Sequence, residues 1–168
     1  MPATQLMRAT RVLQPAERQN RPVADTVILD YAQRSAQKIT VTGVKGGCFA
    51  IDLAQATRLR TDDALLLDDG SLVEVVAAPE PLIEARAADL AQLARLAWHL
   101  GDRHVPAQLF ANRIRVRAEG AVEELLKTLG AKLARIEAPF EPEGGAYESA
   151  HAHDHHHGHA HGHHHHDH

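Results

Sequence analysis

The residues best equipped for chemistry in this 168-residue chain are its histidines, and they are unevenly spread. Of 14, only His99 and His104 lie outside the last 18 residues. The rest are His151, His153, His155, His156, His157, His159, His161, His163, His164, His165, His166 and His168, separated only by Ala, Gly and Asp. Neutral imidazole is a good ligand for nickel, copper, zinc and cobalt. Repeats of His-X-His and His-His bring rings close enough on a flexible chain to share one ion, and Asp154 and Asp167 add oxygen donors. The stretch offers no apolar surface to offset the entropy of ordering, so it is expected to be disordered without metal. By affinity alone copper outranks nickel, so the array predicts divalent metal binding without naming the metal.

Two plainer accounts of the tail compete. Affinity tags are usually unbroken runs of about six histidines, whereas these are interrupted irregularly and follow no vector-like linker. A solubilising low-complexity tail is the other account, and it would still bind divalent metal at neutral pH. His99 and His104 stand in the segment Trp98-His99-Leu100-Gly101-Asp102-Arg103-His104. For a lone histidine, capping or hydrogen bonding without metal is the commoner role, and one imidazole holds a divalent ion weakly. A symmetric dimer changes that count: near a two-fold axis two copies of His104 meet, and tail imidazoles complete the shell.

The elements that must position these residues fall into two patterns. Val27–Leu29, Ile39–Val44, Cys48–Ile51 and Leu72–Val76 are rich in Val, Ile and Thr or alternate in polarity, as strands do. Asp68-Asp69-Gly70 turns Leu65–Leu67 into Leu72–Val76 as a hairpin. Such short strands predict a small barrel or sandwich over residues 1–78. Pro79-Glu80-Pro81 is expected to break regular structure and mark a boundary. Beyond it the period lengthens. Ala87–Leu100 predicts a helix with the apolar stripe Leu90, Leu93, Ala94, Ala97 and Leu100, closed by Gly101 at C′. His99 then lies on its polar side and His104 just past its end. Strands are expected at Leu82–Ala85, Gln108–Phe110, Arg113–Val116 and Lys132–Ile136, with a second helix through Val122, Leu125, Leu126 and Leu129 stopped by Gly130. The order β-α-β-β-α-β is ferredoxin-like. The expected class is α+β: a β domain over 1–78, a ferredoxin-like domain over 79–148, and a disordered His-rich tail over 149–168.

Composition narrows the function. Net charge is −4, two of the negatives being tail aspartates, so the body is near neutral and no basic block suggests nucleic acid. Cys48, the single cysteine, rules out an intrachain disulfide and a multi-cysteine zinc site, and is expected to lie buried in a strand. No apolar run approaches the ~18–20 residues of a membrane span, and the N-terminus lacks a signal-like core. A soluble cytoplasmic protein is expected, with no membrane partner. Aromatic content is 4%, so the cores are expected to rest on aliphatic residues, with Trp98 and Phe110 among the few large rings. No nucleophile and base are recognisable; Glu141 and Glu143 sit in a Pro/Gly-rich, exposed-looking segment, and Gly43–Gly47 lacks phosphate-loop spacing. The chain does not read as an enzyme.

Two segments carry a resemblance. Trp98-His99-Leu100-Gly101-Asp102-Arg103-His104-Val105-Pro106 is similar to an aromatic-His-Leu-Gly-Asn-Arg-His segment, and Pro139-Phe140-Glu141-Pro142-Glu143-Gly144-Gly145-Ala146-Tyr147 to a stretch that precedes a variable tail. With the histidine-rich end, they make the chain resemble the UreE family of urease accessory proteins over essentially its whole length. The resemblance implies a nickel metallochaperone of urease maturation, with an N-terminal β domain for partner binding and a ferredoxin-like C-terminal domain that dimerises. It implies that His104 binds nickel at the dimer interface and that the GTPase UreG and, through it, the apo-urease complex are partners. His99 matches a histidine of many members. Asp102 replaces the usual Asn, and Arg117, Ala118, Glu119 and Gly120 stand where some members carry further histidines. Zinc, copper or cobalt are expected to compete with Ni2+. A nickel or zinc storage protein and a docking adaptor with incidental metal binding are the alternatives.

Overall fold

The computed structural model describes residues 6–145. Its first unit is a six-stranded sheet built from β1 (Met7–Leu13), β2 (Val23–Leu29), β3 (Lys38–Thr42), β4 (Cys48–Asp52), β5 (Ala64–Leu67) and β6 (Leu72–Ala77). The strand order is β2-β6-β5-β1-β4-β3. It is one mixed sheet, parallel where β1 meets β4 and β2 meets β6. The sheet curls until its edges touch, and the Val44 N–H donates to the Thr26 carbonyl at 2.8 Å. Curling gives the sheet a closed inside, filled by Ala9, Val27, Leu29, Val41, Phe49, Ile51, Leu65, Val73 and Val75.

Strand β1 was not expected, and its backbone explains why. A register shift between Ala9 and Arg11 breaks the alternation: Arg11, two residues after buried Ala9, is exposed, and the partly buried Val12 and buried Leu13 then stand side by side. In β2 the alternation holds, but one inward position is Asp25, a carboxylate only 3% exposed. It accepts from the N–H groups of Thr26 (2.7 Å) and Lys45 (3.0 Å). Burial raises its pKa, yet the N–H donors of Lys45, Thr26 and Gly47, with the Lys45 charge, together hold it below the usual value. The turn that wraps it needs Gly43, where a Cβ would lie 2.0 Å from the carboxylate. Cys48 lies at the start of β4 but is exposed, contrary to expectation. Its place in the alternation points it away from the inside that Phe49 and Ile51 fill.

The second unit runs β7 (Pro79–Arg86), α2 (Leu90–Asp102), β8 (Gln108–Leu109), β9 (Arg113–Arg117), α3 (Gly120–Thr128) and β10 (Lys132–Pro139), a short helix α1 (Tyr31–Arg34) having preceded it in the first. All pairs in its sheet are antiparallel, in the order β10-β7-β9-β8. Leu96 and Leu100 from α2 and Val122 and Leu126 from α3 cover Ile83, Ala85, Ile114 and Val116. The prolines do not break the chain: Pro79 and Pro81 are part of β7, paired with Pro139 and Glu137. The Pro81 carbonyl accepts from Ala118, so the backbone of Pro79 and Pro81 faces the side where β9 has already ended. A missing N–H there removes no ladder bond. The α2 stripe also differs from expectation. Leu96 is fully buried while Leu90 is 77% exposed and Trp98 64% exposed, so Trp98 is not a core ring. Phe49 and Phe140 take that part instead.

One side chain joins the units. Asp30 caps α1 by accepting from Gln33 N–H at 2.8 Å, which fixes Arg34 at the end of the turn. Arg34 is fully buried and donates to the carbonyls of Leu29 (3.2 Å), Leu59 (3.1 Å) and Phe140, with Glu141 at 3.5 Å. Burial lowers its pKa; the charges of Glu141 and Glu80 oppose that. Around it, Tyr31 N–H donates to Glu80 (2.8 Å), Thr61 N–H donates to Glu141 (3.0 Å), and the rings of Tyr31 and Phe140 meet edge-on at 5.3 Å. The segment after β10 is therefore strapped across the first unit, with Glu141 half-buried and Pro142 buried rather than loosely exposed.

Replacing Arg34 with Met should take the side-chain donor from the carbonyls of Leu59 and Phe140, Leu29 keeping the Ala78 N–H, and cost about 3–5 kcal/mol in urea unfolding. Arg34→Lys, with its compact donor group, should recover only part of that. A loss below about 1 kcal/mol for Arg34→Met would show that the strap is held by other contacts.

Candidate metal-binding site

Helix α2 delivers the two body histidines. Its start is fixed by Asp89, whose side chain accepts from Gln92 N–H at 2.7 Å. Its end is not at Gly101, which lies within the last turn, but two residues later. Arg103 is the C-cap, His104 N–H donates to the Gly101 carbonyl (3.0 Å) and Val105 N–H to the Leu100 carbonyl (2.9 Å). This pair of bonds is a Schellman ending, and Val105 adds the usual hydrophobic contact by joining the core that holds Leu100.

That ending requires a left-handed residue at C′, usually glycine. Here it is His104, with φ +55°. A side chain at this backbone costs about 1–2 kcal/mol, so the imidazole sits where the fold alone would favour glycine. His104 is exposed and lines a groove of about 620 Å3 between the two units. Tyr31, Ser35, Ala56 and Arg58 form the first-unit wall; Glu143, Gly144 and Gly145 run along it. The Glu143 N–H donates to the Ala107 carbonyl (2.8 Å), and its own carbonyl accepts from Arg58 (3.3 Å). The last described residues thus share a groove with His104. The tail ligands expected at His151–His168 lie outside the described residues, as does Tyr147.

His99 is placed differently. It is half-buried in the last turns of α2, edge-on to Trp98 at 5.0 Å, with Nδ1 at 3.5 Å from Arg103. It does not line the groove that His104 lines. Among the described residues no group of three or more His, Cys, Asp or Glu is arranged to hold a metal ion. A shell at His104 must draw further donors from a second copy of the chain or from the residues after 145. The first-unit wall was not legible in the sequence, because nothing there pairs residues 31–58 with 104 and 143. The nearest signal was the Asp30–Gln33 capping box that sets α1.

On the far side of α2 from the core, Leu90, Ala94 and Trp98 follow one another at i, i+4, i+8, all exposed. They form an apolar stripe on the same helix that carries His99 and leads into His104. No helix among the described residues is long and apolar enough to cross a membrane.

Comparison with known proteins follows the division into two sheets. A model described as UreE urease accessory protein, N-terminal domain, matches residues 3–78, and one described as UreE urease accessory protein, C-terminal domain, matches residues 80–168. The urease accessory proteins UreE of Bradyrhizobium sp. strain BTAi1 and strain ORS 278 are each 53% identical over 148 residues, 88% of this chain and 71% and 70% of theirs. That of Rhodopseudomonas palustris strain HaA2 is 53% identical over 130 residues, 77% of this chain and 60% of its own length. The chain belongs to the UreE family of urease accessory proteins, which serve the maturation of an enzyme and are not enzymes themselves.

Proposed function

We propose that this protein binds nickel and delivers it for assembly of the urease active site. The observation that carries the reading is His104, a left-handed non-glycine residue on a groove that Glu143, Gly144 and Gly145 also line. Strain kept at an exposed imidazole is the mark of a residue retained for chemistry. In this reading the chain is a homodimer in which two His104 side chains share one Ni2+. The exposed stripe Leu90, Ala94 and Trp98 supports a contact between second units. Tail imidazoles from His151 to His168, carboxylates or water fill the remaining positions, and His99 stands by as an adjacent donor. The strand order β10-β7-β9-β8 supports reading the second unit as ferredoxin-like, over 79–148, with partner binding left to the β domain over 1–78. Delivery goes to the GTPase UreG and through it to apo-urease. An open shell completed by tail imidazoles keeps affinity low enough for hand-over.

Three measurements test this. Equilibrium dialysis with molecular mass, on protein truncated after Ser149, should give about one tight nickel per dimer, the stoichiometry a two-fold site demands. A folded dimer that binds none would place the site in the tail and favour nickel or zinc storage. His104→Gly should abolish the tight site while raising stability by about 0.5–1 kcal/mol, the relief of left-handed strain less the added freedom of the unfolded chain. A variant destabilised instead would mean that the imidazole holds the turn. Nickel should leave as pH falls below the range of free imidazole, about 6.5, because protons compete for the same nitrogens. Binding unchanged well below that pH would exclude imidazole ligands.

A further inference from the structure

The second sheet has two faces, and only one is covered by helices. Along β9, Ile114 and Val116 are buried under α2 and α3, which turns Arg113, Arg115 and Arg117 to the other face. The register sets what stands beside them. Lys132, Arg86 and Arg113 are direct neighbours across β10, β7 and β9, and in the next row Ala134, Glu84, Arg115 and Gln108 follow. A row of three cations spans the sheet at a strand spacing of about 4.8 Å, where like charges oppose folding.

Glu84 accounts for only part of this charge. Its buried carboxylate lies 3.0 Å from Arg115, 3.2 Å from Arg113 and 3.1 Å from Arg86. Set against Arg86, Arg113, Arg115 and Lys132, it leaves the patch three charges positive. The guanidinium groups of Arg113 and Arg115 lie over the Phe110 ring, their central carbons 4.5 and 4.8 Å from its centroid. The Nε of Arg113 is buried and lacks an aligned acceptor despite its nearness to Glu84. A second cavity, of about 310 Å3, opens at the end of the row between Arg86, Lys132, Gln92 and Asn112.

We propose that this face docks an Asp/Glu-rich segment of a partner protein, its carboxylates seated on the row Lys132–Arg86–Arg113. Guanidinium forks match carboxylate geometry. A second copy of the chain does not fit, since a two-fold contact would set the cationic row against itself. Nucleic acid fits poorly: the row crosses only three strands, about 10 Å, and the whole chain is negative at −4. The proposal does not depend on the metal site.

The test is fluorescence polarisation of a fluorescein-labelled hexaglutamate peptide with the full chain, at about pH 8 with chelator so that the tail carries no positive charge and no metal. A single-stranded oligothymidine of equal charge runs in parallel. Binding of the peptide is expected, lost on raising salt to about 0.3 M, and weakened at least about tenfold in Arg113→Gln/Lys132→Gln. That variant leaves Arg86 and Arg115 on Glu84; Lys132→Glu, at an exposed position, should weaken binding with no fall in thermal midpoint. Lys38→Gln on the first sheet should bind as the parent does. No peptide binding, or equal loss in Lys38→Gln, overturns the proposal. Tighter binding of the oligonucleotide than of the peptide overturns it in favour of a nucleic-acid surface.

Discussion

Arg34 is a charged group held entirely out of water, and the arrangement of the molecule follows from how it is satisfied. A buried guanidinium must find acceptors for its donors. Two of them, Leu29 and Leu59, belong to the first unit, and a third, Phe140, lies past the end of the second. Meeting that demand pins residues 140–143 against the β domain and leaves a groove whose floor is the end of α2. The short helix that presents Arg34 is itself only one turn, kept by the Asp30 cap. A local capping signal therefore sets a contact between residues more than a hundred positions apart.

The end of α2 is where fold and chemistry pull in different directions. A Schellman ending favours glycine, and the chain has one nearby at 101, but the left-handed position falls to His104. The hydrogen bonds to Gly101 and Leu100 and the Val105 contact hold the backbone there regardless of the side chain. For the role proposed above, a rigid backbone under an exposed ring is good preorganisation: the helix ending sets the ring's position.

Much of this was legible in sequence, and the failures have physical reasons. The hairpin of β5 and β6 and the stripe Val122, Leu125, Leu126 and Leu129 of α3 keep one period throughout, and both were read correctly. In α2 two apolar stripes overlap. Leu93, Leu96 and Leu100 turn inward and Leu90, Ala94 and Trp98 outward, so composition alone does not choose the buried one. Strand β1 hid behind its bulge. Pro79 and Pro81 looked like a break because the cost of a missing N–H depends on whether a neighbour faces it, which only the sheet reveals. His104 was found through its segment, but its left-handed backbone was not, because Gly101 was the more obvious helix stop.

The chain passes between its two units at Ala78–Pro79 and again at Pro139–Phe140, and Pro79 and Pro139 are partners in the register of β7 and β10. The second unit is thus a closed excursion that leaves and returns at adjacent strand ends, a gap of about 5 Å. Covalently, residues 140–145 follow the second unit. Spatially, residues 140–143 follow the first, as though 79–139 had been spliced into a shorter chain. Lengthening that inserted loop of fold, or trimming it, would leave residues 140–143 where they are.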